Sequence, residues 1–105
     1  MSEITTRELL LVAQRHVAIG QLAVSEFAAW QERNSKRGAL RKWLREYYSA
    51  TGEWFIDHPE ERRNCEQEDL FAYDALRDAA KAAQKRLAAA RTQTRRAIRA
   101  LKEST

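Results

Sequence analysis

The side chains suited to nucleophilic or metal chemistry are few: one cysteine, Cys65, and two histidines, His16 and His58. His58 and Glu61 form an H-x-x-E pair one helical turn apart. A metal site needs at least three convergent ligands, however, and no second His, Cys or carboxylate cluster has suitable spacing. A helix N-terminus or His58 beside Cys65 would favour its thiolate. Catalysis would also need an orienting group and an oxyanion loop, and the sequence offers neither. The expectation is therefore no enzyme, no metal, no cofactor and an idle or buried thiol. His16 falls on the apolar side of the first predicted helix, near Val12, Ile19 and Gly20, and is expected as a hydrogen-bonded core histidine.

Charge offers more chemistry than nucleophiles do. At 100° per residue Lys81, Lys85, Arg95, Arg99 and Lys102 project within about 100° of one another, with Arg77 and Arg96 adjoining. Such a ridge, about 30 Å long, could track phosphates by releasing counterions. The competing account is a solvated face whose positive end offsets the helix macrodipole, with Asp69, Asp74 and Asp78 doing the same at the other end. Because the first half of that helix is acidic, nucleic acid would engage its C-terminal half, joined by a second basic stripe of Arg37, Arg41 and Arg45 with Tyr48 among them. An acidic block, Glu60, Glu61, Glu66, Glu68 and Asp69, could mimic a phosphate backbone or dock on a basic partner, or simply supply favourable acids at a helix N-terminus. Neither helix-turn-helix nor zinc-finger spacing accompanies the charges, which argues against sequence-specific readout.

Trp30, Trp43, Tyr47, Tyr48, Trp54, Phe55, Phe71 and Tyr73 concentrate in the middle of the chain. Their plain role is to fill one end of a bundle where alanine cannot, while any left exposed would be hot spots for a protein partner.

The elements that must position these groups are helical. Three glycines and one proline interrupt 105 residues, and the rest is dominated by residues that lose least on entering a helix. The hydrophobic fraction is 44%, much of it alanine, so the core is thin and a second one is not expected. The first helix is predicted over 6–33, opened by Thr5 as N-cap with Glu8 as its capping-box partner and Ile4 and Leu9 as a staple. Its polar positions form a narrow stripe, leaving an apolar perimeter that must be covered on several sides. Asn34 and Ser35 predict a break. A second helix over 36–50 follows, with Leu40, Trp43, Leu44 and Tyr47 on one face, stopped by Thr51 and Gly52. The segment Glu53-Trp54-Phe55-Ile56 is expected to put its rings into the core. Asp57 with Glu60, and Asn64 with Gln67, predict a turn over 58–63 and a long helix over 65–102. That helix carries a heptad-like seam of Tyr73, Leu76, Ala80, Ala83, Leu87, Ala90, Thr94, Ala97 and Leu101. The fold class is all-α in a single domain: an elongated antiparallel helical hairpin, or a three-helix bundle with a long C-terminal helix.

The net charge of +4 conceals alternating blocks. The net is −1 over 1–35, +4 over 36–51, −6 over 52–78 and +7 over 79–105. No apolar run is long enough to span a membrane and the N-terminus lacks a basic signal region, so a cytoplasmic protein without membrane contact is expected. Segregated charge without chemistry points to a non-enzymatic protein–protein interaction module, a small adaptor, regulator or inhibitor of a larger protein or protein–nucleic acid assembly. Nonspecific nucleic-acid binding by the C-terminal helix is the second reading. Self-association, as a homodimer closed through the first helix or the alanine seam, is the third.

Overall fold

In the computed structural model residues 5–56 and 65–103 are described, and over them the protein is all-α. Helix α1 spans Thr6–Thr51 and helix α2 spans Gln67–Glu103. The described residues thus hold two helices, not the three of a bundle. The predicted turn over 58–63, the capping box of Asp57 and Glu60, the Asn64 cap and the Ile4 half of the staple lie outside the described residues.

Helix α1 starts where its capping box places it. The Thr5 N–H donates to Glu8 Oε2 and the Glu8 N–H donates to Thr5 Oγ1, each at 3.2 Å. Two donors that the first turn leaves orphaned are thereby satisfied reciprocally. At the other end Gly52 takes φ 76°, a conformation that disfavours any side chain, and its N–H reaches the Tyr48 carbonyl at 2.8 Å. The Thr51 hydroxyl donates to the Tyr47 carbonyl at 2.8 Å and accepts from the Glu53 N–H at 3.2 Å, closing the last turn.

The break expected at Asn34 and Ser35 does not form, and one helix replaces the two predicted over 6–33 and 36–50. Keeping Asn34 and Gly38 helical costs about 2 kcal/mol in intrinsic propensity relative to alanine. A break would cost more, because it would turn Leu40, Trp43, Leu44 and Tyr47 out of phase with the seam. Arg33 and Arg37, one turn apart across the expected break, both donate to Gln84 Oε1, at 3.3 and 3.1 Å. A Cβ built on Gly38 meets nothing within 4 Å, and its φ is not positive. Gly38→Ala is therefore predicted to stabilise the fold by about 0.4–1 kcal/mol in urea melts. A glycine capping a helix break would give the opposite sign.

Helix α2 follows its predicted seam. Ala83 and Leu87 are fully buried, and the remaining seam positions from Tyr73 to Leu101 are all half-buried. The alanine seam is thus covered within the chain and is not the free surface that a dimer through it would need. The chain divides into two compact units, one of Met1–Trp30 with Arg86–Thr105 and one of Gln31–Lys85. The second is an αα-hairpin containing the chain reversal; the first pairs the start of α1 with the end of α2.

Candidate interaction surfaces

At the closed end of the hairpin unit a cluster of rings forms the core. Trp43 stacks on Tyr47 with centroids 5.4 Å apart, and Phe55 meets Trp43, Tyr47 and Tyr73 at 5.2, 5.3 and 4.5 Å. Phe55 is the buried side chain of its segment. Its neighbours correct the expectation that the whole segment plugs inward: Trp54 is 59% exposed and Ile56 54%. An extended segment sends alternate side chains to opposite sides, so placing Phe55 inside forces Trp54 and Ile56 out.

Trp54 stacks on Tyr48, itself 42% exposed, with centroids 4.3 Å apart and planes 21° apart. Together with Tyr47, Gly52, Glu53, Ile56 and Cys65 these rings line a hollow of about 420 Å³. Burial pushes the Tyr47 phenol above its ordinary value of 10.0, with Cys65, Asp69 and Glu53 adding to the rise. A phenol that keeps its proton more tightly when folded contributes stability below pH 10 that is lost as pH rises through its folded value. The stability of the wild type relative to Tyr47→Phe should therefore fall as pH rises past 10.0, measured by urea melts on either side of that value.

The two basic sets read from the sequence are partly joined. Arg37 from α1 lies with Arg77, Lys81 and Lys85 from α2 around a groove of about 380 Å³ floored by Ala80 and Gln84. Arg77 is held by Asp74 at 3.3 Å and Asp78 at 3.4 Å, with its guanidinium 5.7 Å from the Tyr73 ring centroid. Arg37 is tied to Gln84, and Lys81 and Lys85 are exposed. The groove thus carries cationic groups from both helices. Arg41 and Arg45 are exposed on the helical face that carries Tyr48.

Arg95, Arg96, Arg99 and Lys102 belong to the other unit, where all four are exposed. Of the acidic block, Glu66 and Glu68 are exposed and Asp69 is half-buried, while Glu60 and Glu61 lie outside the described residues, as does His58. His16 makes its hydrogen bond, Nδ1 donating to the Val12 carbonyl at 2.8 Å, but on an exposed face. It is not a core histidine. The local i−4 carbonyl satisfies the ring without any burial. Cys65 is half-buried at the rim of the aromatic hollow. Among the described residues no three His, Cys, Asp or Glu side chains converge as a metal site would require, and no helix is long and apolar enough to cross a membrane.

Sequence reasoning did not separate the outward aromatics from the inward ones, nor bring Arg37 to Lys81 and Lys85. The alternation of an extended segment could have supplied the first, but the second depends on how α1 and α2 align. No family model matches the chain, and no curated protein or solved structure is significantly similar to it.

Proposed function

We propose that the chain is a non-enzymatic interaction module, a small adaptor, regulator or inhibitor that docks on a larger protein or protein–nucleic acid assembly. The observation that carries this reading is the stacked Tyr48 and Trp54 pair, held half in solvent beside Ile56 over a rigid aromatic core. Pre-ordered aromatics lose little entropy on binding, and Trp, Tyr and Arg dominate protein hot spots. Arg41 and Arg45 on the Tyr48 face favour a partner with an apolar knob inside an acidic rim.

The test places a photo-crosslinking residue at Gln67 in the full chain, next to the hollow in sequence, and exposes it to native extract. A discrete adduct competed away by excess unlabelled wild type, but at least tenfold less well by Tyr48→Ala or Trp54→Ala, supports the reading. An adduct competed equally by all three sinks it.

Direct phosphate binding is the second reading, favoured by the groove of Arg37, Arg77, Lys81 and Lys85. It predicts that labelled DNA or RNA binds at 50 mM salt with a steep salt dependence that weakens in Arg37→Ala with Lys81→Ala, or in Arg95→Ala with Arg99→Ala. Absence of binding at about that salt concentration removes it.

A further inference from the structure

A second surface lies wholly in the unit of Met1–Trp30 and Arg86–Thr105, and it is independent of the aromatic hollow. Leu10, Ala13, Val17, Gly20, Val24 and Phe27 follow alternating steps of three and four along α1. This is the spacing of a coiled-coil seam. From Leu10 to Trp30 the half-buried residues are Val12, Ile19, Leu22, Glu26 and Ala29, and the last four form the seam turned toward α2. The two stripes lie roughly 170° apart around the helix. Helix α1 therefore has two such faces, and the described residues supply a partner for one.

The open face is apolar throughout and exposed. Leu10 is 59% exposed, Val17 62%, Val24 70% and Phe27 56%. Contiguous patches of this kind mark interaction sites in soluble proteins. Gly20 sits at its centre with nothing within 4 Å of a built Cβ, so no contact inside the chain calls for a glycine. A glycine inside a helix weakens it and is explained where another backbone or side chain must come close.

We infer that the occupant of this face is a second copy of the same chain, docked antiparallel so that two helix pairs close into a four-helix bundle. The order of sizes along the stripe selects this partner and direction. When the stripe is reversed on itself about the point between Ala18 and Ile19, Val17 faces Gly20 and Ala13 faces Val24. Leu10 then faces Phe27, which stacks on Trp30 at 5.7 Å. Each small residue of the central layers thus receives a larger one, which is how close-packed layers interdigitate. A parallel pair in register would instead stack Ala13 on Ala13 and Gly20 on Gly20, leaving voids. In the antiparallel pair the flanks place Gln14 against Gln21 and Arg7 against Ala28, with no like charges opposed. With Leu9 and Trp30 at the edges, the exposed apolar area amounts to roughly 600 Å² per chain, or about 1,200 Å² for a symmetric pair, the lower bound of a stable interface.

Sedimentation equilibrium on the full chain, together with spin-label distances, tests this. The wild type is expected at twice its 12.2 kDa, and Val17→Lys and Gly20→Leu at 12.2 kDa with helicity retained, because both positions are open in the single chain. A label at Arg7→Cys in a Cys65→Ser background leaves the interface intact and reads its direction. About 35–40 Å between labels is expected for the antiparallel pair, against under about 20 Å for a parallel one. A wild-type monomer up to about 0.1 mM (roughly a hundredfold above the dissociation constant of a micromolar dimer), a dimer indifferent to Val17→Lys, or the short distance would each overturn the proposal.

Discussion

Phe55→Ala is expected to lower the stability of the protein by about 3–5 kcal/mol, a large share of the roughly 5–15 kcal/mol available to a typical domain. Phe55 touches three other rings, Trp43, Tyr47 and Tyr73, and is buried among them. Removing it forfeits its transfer free energy, opens a cavity and deletes three aromatic pairs, each contributing about 0.5–1.5 kcal/mol beyond area. It also frees the segment after Gly52, since Phe55 is the residue that pins that segment to the hairpin. Trp54→Ala one residue earlier should cost about 1–2 kcal/mol, well below the Phe55 loss, because the Trp54 ring is 59% exposed and, among the described rings, rests on Tyr48 alone. Parallel urea melts of the two variants settle the comparison. Equal losses would mean that Trp54 is a core residue and not an exposed anchor. On the docking reading the ranking inverts in a binding assay, where Trp54→Ala loses the partner while remaining folded.

What could be read from the sequence was local or periodic. Thr5 and Glu8 lie three residues apart, and their box formed as spaced. Gly52 ended α1 because its positive φ is a property of one residue. The α2 seam was legible because it repeats from Tyr73 to Leu101 without a phase slip. Asn34 and Gly38 misled for a related reason. Ile19, Leu22, Glu26, Ala29, Arg33, Lys36, Leu40, Trp43 and Tyr47 keep alternate steps of three and four straight through them. Unbroken phase across a pair of weak helix formers argues for one helix, but the polar side chains of Glu26, Arg33 and Lys36 hid the pattern from a search for apolar residues. The open stripe from Leu10 to Phe27 was hidden the other way: apolar residues nearly encircle that part of α1, so neither face stood out until α2 had covered one. The basic groove could not be read at all. Arg37 and Lys81 are 44 positions apart in the sequence, and only the pairing of α1 with α2 makes them neighbours.

Leu87→Ala should be the most damaging substitution available in α2, at about 3 kcal/mol with a range of 2.7–5. Leu87 is the largest side chain with no exposed surface among the described residues, and its seam neighbours there, Ala90, Thr94 and Ala97, are all small. Small residues bring helix axes close, and Leu87 fills the space that they leave beside it. Its removal opens a cavity that rigid neighbouring turns cannot collapse into, which is the condition under which truncation costs most. Ile98→Ala in the same unit is the matched control. Ile98 is 38% exposed, so it gives up less apolar burial than Leu87, and the higher helix propensity of alanine offsets part of that, leaving a loss of about 1 kcal/mol. The measurement is the urea midpoint of both variants at one fixed protein concentration, since self-association would make stability depend on concentration. A loss at Leu87 no larger than at Ile98 would show that the α2 seam is not what holds this unit together, and that α1 is stabilised chiefly by what docks on its opposite face.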